Sequence, residues 1–304
     1  MIRKSLLAAA AVSFATAGLA ADLPSKKAPA QAVAAPFFLV NSNTLSYSYQ
    51  FGATAPFNDA GKFGKNVFSF THFDVWAYGT NFLNIDLLKS PSVDPAVGGG
   101  SGATEIYGLF RSTLGLNQLT GTKSFSMGML SNVSLAFGAD FNTENNDTAP
   151  AKKSLVAGLQ FSFDLPYKLN LNVSPLFYKE WNHNSAYAAV DGGATEFNGT
   201  WAVETGYSVP VADLPLTLSG RFNVYGPKGT GSSLETAKTK TEINSEQRLT
   251  LDVGKMAYGA SRADLVNVFV AYRYWQNKFG INHSSCPANS CTENAVTTGV
   301  SVKF

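Results

Sequence analysis

The chain has 304 residues, 45% of them hydrophobic and 12% aromatic, and its 23 basic residues face 21 acidic ones. Arg3 and Lys4 lie in an N-terminal stretch without acidic residues, so the chain beyond residue 20 has 21 residues of each sign. This neutral balance gives no electrostatic reason to expect nucleic acid as a partner. Past residue 20, no stretch has the roughly 18 uncharged apolar residues of a membrane-spanning helix, which excludes a helical membrane protein.

The first 20 residues have the pattern of a secretory signal peptide. Arg3 and Lys4 precede an apolar run, and small residues follow it up to Ala20. We therefore expect export from the cytoplasm with cleavage after Ala20. Residues 21–36, which are rich in alanine, proline and lysine, are expected to form a flexible periplasmic segment. Residues 37–304 are expected to form a single folded domain.

Apolar and polar residues alternate with a period of two from about residue 40 to the C-terminus. Segment 45–51, for example, alternates leucine, tyrosine and phenylalanine with serine and glutamine. This period favours β-strands over helices as the main element. Twelve strands are predicted, at 45–51, 67–78, 81–90, 104–114, 133–141, 155–163, 169–178, 197–209, 216–225, 248–256, 265–277 and 295–304.

The connections between these strands alternate between short and long. Short ones lie near Gly79 and Pro166 and at 210–215 and 257–263, whereas the polar connections on the other side are longer. This alternation and the even strand number predict an all-β fold, a 12-stranded antiparallel transmembrane β-barrel with short periplasmic turns and long extracellular loops. Closure of the barrel leaves no unpaired strand edge in lipid. The connection 115–131 is too long for this pattern, which indicates an additional element there.

The C-terminal residue completes the membrane interpretation. Phe304 is an aromatic residue that follows directly on the last predicted strand. Such an ending resembles the usual signal for assembly into the outer membrane. We therefore expect the cell outer membrane of a Gram-negative bacterium as the location, with outer-membrane lipid and the barrel-assembly machinery as partners.

If the valine, leucine and phenylalanine faces of the strands point to lipid, the opposite faces line the lumen. On this basis Asn84, Asp86, Glu105 and Arg111 are predicted to be pore-lining residues. The later strands add further inward-facing polar residues, namely Asp140, Gln160, Asn170, Asn172, Glu204, Arg221, Asn223, Arg248, Asp252, Asn267 and Arg273. Both signs of charge occur, so these residues either bind a solute or pair with one another.

The second predicted strand has no purely apolar face. Phe68, Phe70, His72, Asp74 and Trp76 share one face. Because His72 and Asp74 cannot face lipid cheaply, this mixed aromatic and polar face is predicted to line the lumen. Aromatic rings beside amide and carboxylate groups suit a nucleobase and its ribose, although the same rings could also fill a small barrel.

Cys286 and Cys291 lie close together in a polar, turn-rich segment. An exported protein passes through an oxidising compartment, which favours a local disulfide between them. A metal site is disfavoured because His283 is the one nearby histidine and no second cysteine pair exists. No metal and no cofactor are predicted.

Segments 65–90 (KNVFSFTHFDVWAYGTNFLNIDLLKS) and 94–111 (DPAVGGGSGATEIYGLFR) resemble the nucleoside-specific channel family typified by Tsx and the related OmpK porins. The resemblance covers the first third of the chain. It implies a monomeric twelve-stranded barrel with a narrow pore that passes nucleosides. It also implies that the solute-binding residues come from this block, and we select Phe68, Phe70, His72, Asp74, Asn81, Asn84, Asp86 and Glu105.

Three other functions compete with a nucleoside channel. A general small-solute porin has the same fold with a wider and less aromatic lumen. An outer-membrane barrel enzyme needs a serine beside a histidine, but Ser69 points away from His72, and His183 and His283 lie in predicted loops. A structural barrel would have a dry, filled interior. We therefore predict a non-enzymatic channel that passes small polar solutes by passive diffusion.

Overall fold

A computed structural model describes residues 37–59, 61–94, 102–143, 151–183, 194–229 and 239–304. The predicted signal peptide at 1–20 and the predicted periplasmic segment at 21–36 lie outside the described residues. Twelve long antiparallel strands form the wall: β1 (Phe38–Ala53), β2 (Phe63–Trp76), β3 (Gly79–Lys89), β4 (Thr104–Gly115), β5 (Leu130–Asn142), β6 (Lys153–Leu165), β7 (Leu169–His183), β9 (Thr200–Pro210), β10 (Leu216–Tyr225), β11 (Glu242–Asp252), β12 (Val266–Gln276) and β13 (Thr292–Lys303). The three-residue strand β8 (Ala194–Glu196) pairs only with the end of β7.

The wall closes on itself without a free edge. Each strand pairs with its neighbours along the chain, β13 pairs with β1 in register from Thr44–Lys303 to Phe51–Val296, and β6 pairs with β7. The fold is thus a closed 12-stranded antiparallel β-barrel, as the alternation in the sequence predicts. Of the described residues, none belong to a helix long and apolar enough to cross a membrane.

Each wall strand exposes at least one large apolar side chain on the outer face. One per strand, these are Leu45, Phe68, Leu87, Ile106, Leu135, Leu155, Phe177, Trp201, Phe222, Leu249, Val270 and Val300. Because cross-strand partners point to the same side of a sheet, the register around the barrel fixes this face as the exterior. An apolar outer face on all twelve strands of a closed barrel is typical of a wall that contacts lipid.

Long and short connections lie at opposite ends of the barrel, which we call the long-loop end and the short-loop end. The connection 116–129 at the short-loop end holds the helix α1 (Leu116–Thr120). The Asn117 side chain accepts from the Phe125 amide at 2.9 Å and donates to the Ser126 hydroxyl at 2.6 Å, which folds the connection back on itself. The additional element that the length of this connection indicates is therefore a capped helical turn.

Two predicted strands end differently in the structure. The strand predicted at 248–256 stops at Asp252, where the helix α2 (Val253–Tyr258) begins. The Asp252 carboxylate accepts the amides of Lys255 at 2.7 Å and Asp264 at 2.8 Å, and such an N-cap starts a helix and halts the strand. The strand predicted at 197–209 starts at Thr200, because Phe197 is fully buried against the loops instead.

Phe197 belongs to a small apolar cluster with Ile281 and the two cysteines at the long-loop end. Cys286 and Cys291 form a disulfide with Cα atoms 5.7 Å apart.

Replacement of both cysteines in the Cys286→Ser, Cys291→Ser double variant is expected to lower the unfolding free energy by about 2 kcal/mol, since the disulfide closes a short loop. Urea unfolding followed by tryptophan fluorescence measures the change. A reducing agent should produce the same loss in the natural chain and none in the variant.

Candidate functional site

The interior of the barrel holds a cavity of about 120 Å³ near the long-loop end. This volume is smaller than the roughly 300–1,000 Å³ of ordinary small-molecule sites, so the open space in this part of the barrel is small. Its wall is polar and charged, with four aromatic residues among the lining residues. The lining includes Asp86, Asp94, Glu105, Tyr107, Asp140, Lys152, Arg221, Tyr225, Glu242, Arg273, Trp275, Lys278, Phe279 and Glu293.

Beside this cavity, the interior between β5 and β10 is filled by apolar packing. Val156, Leu176 and Ala202 are buried against Tyr178 and Tyr225, whose ring centroids are 4.8 Å apart. These side chains occupy the inward face of their strands, where the sequence predicts mainly polar residues. The open part of the lumen therefore lies off centre, towards β1–β4 and β11–β13.

Two lysines from the long loops are held inside the mouth of the barrel by glutamates of the wall. Lys278 donates to the carbonyl oxygen of Thr54 at 2.6 Å and to Glu293 at 2.8 Å. Lys228 forms a buried ion pair with Glu180, and its Nζ lies 3.8 Å from Glu242. Because each pair joins a loop to a strand, the loops narrow the cavity.

Lys152, which precedes β6, is a third cation in the mouth. Its Nζ lies 5.6 Å from the ring centroids of both Tyr178 and Tyr225. Burial opposes its charge, but Tyr107 and the carboxylates of Glu180 and Glu242 raise the pKa of Lys152 above its usual value. Burial has the opposite outcome at the loop residue Lys278, where it outweighs Glu293 and lowers the pKa of the ammonium group.

Arg111 is the centre of the polar network deeper in the lumen. It donates to Asp140 at 2.6 Å and, through Nε and Nη2, to both oxygens of Glu204 at 2.8 and 2.7 Å. This bidentate geometry is the strongest that an arginine forms with a carboxylate. Gly138 on β5 lies opposite Arg111, and a Cβ there would lie 2.6 Å from the arginine side chain. A glycine is thus required for the arginine to cross the strand.

Four predicted pore-lining residues, Asn84, Asp86, Glu105 and Arg111, point into the lumen. Asp86 and Glu105 line the cavity directly. Asn84 donates to Asp86 at 2.8 Å and so orients its carboxylate.

The structure corrects the prediction for the second strand. Phe68, Phe70, His72, Asp74 and Trp76 point outwards, since Phe68 pairs with the outward Tyr47 and is 51% exposed. Asn81, paired with Asp74, is also on the outer face. The lumen side of β2 instead presents Lys65, Val67, Ser69, Thr71, Phe73 and Val75.

A chain of hydrogen bonds explains how polar residues are tolerated on the outer wall. His72 binds Asn43 at 2.8 Å and Asp74 at 3.0 Å, and Asn81 donates to both oxygens of Asp74. The Ser112 hydroxyl donates to Asn81 at 2.7 Å. Trp76 stacks on Phe37 with a centroid distance of 5.7 Å and lies towards the short-loop end, as in an interfacial aromatic girdle. The side chains of Asn43, His72, Asp74, Asn81 and Ser112 hydrogen-bond to one another, which removes most of the cost of facing lipid.

Several cavity residues were missed by the sequence interpretation. Lys228, Lys278 and Lys152 lie in connections, where no periodicity signals which side chain turns inwards. Tyr225 and Trp275 lie at strand ends, and their inward orientation follows from the same alternation that places Arg221 and Arg273 inside. The inward orientation of Tyr225 and Trp275 could therefore have been predicted from their positions two or four residues from an inward arginine on the same strand.

No family model and no curated protein matches the sequence. Among solved structures, the NanC porin is 11% identical, with 86% of this chain and 100% of that chain covered and a TM-score of 0.49. An outer-membrane channel from Pseudomonas putida F1 is 10% identical, with 91% of this chain and 99% of that chain covered and a TM-score of 0.47. At these identities the likeness concerns the fold alone.

Proposed function

We propose that this protein is an outer-membrane channel through which small polar solutes diffuse passively. The observation that carries the proposal is the contrast between the two faces of the wall, because large apolar residues cover the exterior of all twelve strands while charged residues line the interior. A barrel with this contrast holds water and solutes inside and lipid outside. The apolar exterior of the barrel supports the outer membrane as its location.

Nucleosides are the specific solutes that we propose from the resemblance of residues 65–111. The aromatic face of β2 does not serve them, since it points outwards. Tyr107, Tyr225 and Trp275 line the cavity instead and offer ring faces on which a base could stack. Asp86 offers a carboxylate for the ribose hydroxyls.

Adenosine added to the protein in a planar bilayer is expected to reduce the ion current by occupying the lumen. The Trp275→Leu variant should weaken this block about tenfold if base stacking contributes its usual roughly 1–3 kcal/mol. The matched control is Trp201→Leu, which removes an outward-facing tryptophan that is 52% exposed, and it should leave the block unchanged. The current and its dependence on adenosine concentration are the measurements.

The results distinguish the nucleoside assignment from the general channel function. Ion conductance without any effect of adenosine would contradict the nucleoside assignment and keep the general small-solute channel. A folded barrel that conducts no ions would contradict the channel itself and favour a structural barrel.

A further inference from the structure

Charge is distributed unequally across the lumen. The strand order places β3 and β10 six steps apart in either direction around the twelve-stranded wall, so they face each other across the barrel. The region of β10–β13 contains the arginines of the cavity, and the region of β2–β5 contains most of its carboxylates. A solute that passes between them meets opposite potentials on its two sides.

The β10–β13 side has an excess of positive charge. Arg221, Arg248 and Arg273 surround Glu246, which lies 3.8 Å from Arg221 and 3.0 Å from Arg248. Glu293 is shared, because Arg273 contacts it at 3.2 Å and Lys278 at 2.8 Å. With Glu242 of β11, which also lines the cavity, four cations therefore face three carboxylates among the described residues on this side of the cavity. The Arg221 side chain remains 38% exposed in the lumen and has donors to spare.

The β2–β5 side has an excess of negative charge. Lys65 is shared by Asp94 at 3.4 Å and Glu105 at 3.5 Å, while Arg111 is shared by Asp140 and Glu204. Asp86 accepts a hydrogen bond from Asn84 and, among the described residues, forms no salt bridge. Asp86 on β3 and Arg221 on β10 both line the cavity, from opposite sides of the barrel.

Building on the proposed channel function, we infer that the lumen selects dipolar solutes that carry a carboxylate and an ammonium group, such as a free amino acid. The carboxylate would bind Arg221 and its neighbours, and the ammonium group would bind Asp86. A guanidinium with unused donors suits a carboxylate, and a carboxylate that has a hydrogen bond but no salt bridge suits a cation.

Simple anions and small neutral solutes without a ring fit this lumen less well. An anion that reaches Arg221 also faces the carboxylate excess around Asp86, so attraction on one side is offset by repulsion on the other. A small neutral solute such as lactamide compensates neither charged group for the water that it displaces and, unlike a nucleoside, has no base to stack on the aromatic side chains of the cavity. A dipolar solute satisfies both sides when it lies across the pore.

Uptake of radiolabelled alanine, lactate and lactamide into proteoliposomes tests the inference. The three solutes share a skeleton and differ in charge, being dipolar, anionic and neutral at neutral pH. We expect alanine to enter fastest. Asp86→Asn and Arg221→Gln should each slow alanine about tenfold, as expected for one charge-assisted contact, and leave lactamide unchanged.

Two further variants keep the experiment decisive. Lys168→Gln removes a charge from an exposed turn at the short-loop end and should leave uptake of all three solutes unchanged. The exchanged pair Asp86→Lys with Arg221→Glu restores opposite charges across the lumen and should recover alanine uptake. The heat-dependent gel mobility of each variant checks that its barrel is folded.

Other results overturn the inference in recognisable ways. Equal rates for alanine and lactamide would contradict selection by charge while leaving the channel function intact. Faster entry of lactate than of alanine would show an anion channel instead. Entry of none of these solutes through a folded barrel would contradict the proposed function itself.

Discussion

Arg111→Met is expected to lower the unfolding free energy by about 3–5 kcal/mol, because it leaves buried carboxylates without their cation. Asp140 and Glu204 both depend on this guanidinium, and the Asp140 side chain is only 2% exposed. Urea unfolding of the protein in lipid vesicles, followed by tryptophan fluorescence, measures the loss. The transition should move to lower urea without a change in slope.

Matched variants separate the role of the network from the general cost of losing an arginine. Arg262→Met removes an arginine from an exposed turn and should change stability by less than about 0.5 kcal/mol. Adding Asp140→Asn to Arg111→Met removes one of the orphaned charges and should recover part of the loss. Equal stability of the Arg111→Met and Arg262→Met variants would contradict the central role of Arg111.

Lys228→Met is expected to destabilise the long-loop end by about 3–5 kcal/mol, since the ion pair of Lys228 with Glu180 is almost fully buried. Glu242, 3.8 Å from the same Nζ, also loses its nearby cation. The loss should be local, because the loop can detach while the hydrogen bonds of the wall persist. We therefore expect faster amide exchange around residues 226–229 and a larger ion conductance, as the loop leaves the mouth.

The double variant Lys228→Met, Glu180→Met provides the control for this prediction. Replacing both members of a buried ion pair by apolar residues is often neutral, so the double variant should be more stable than Lys228→Met alone. If Lys228→Met changes neither conductance nor amide exchange, the loop is held by other contacts and the anchoring role assigned to this lysine is wrong.

The sequence predicts the wall of this barrel well because alternate residues of a strand lie on opposite faces, so their polarity shows which face is inside. The alternation in segment 45–51 recurs in most wall strands, and the register of the structure follows it around the ring. Inward residues such as Asp86, Glu105 and Arg111 are predicted by this parity alone. The prediction fails on β2, where both faces mix apolar and polar residues and parity cannot tell which is outside.

The sequence by itself therefore determined the fold class, the strand number and most of the charges that face the lumen. The tertiary structure decided the orientation of β2, where a hydrogen-bonded chain from Asn43 to Ser112 satisfies polar groups that would otherwise avoid lipid. It also decided how the mouth of the barrel is narrowed, since Lys228 and Lys278 reach the lining residues Glu242 and Glu293 from loops without any periodicity. The physical reason is common to both cases: periodicity is local, whereas hydrogen bonds and ion pairs join residues that are distant in the chain and become neighbours only in the closed barrel.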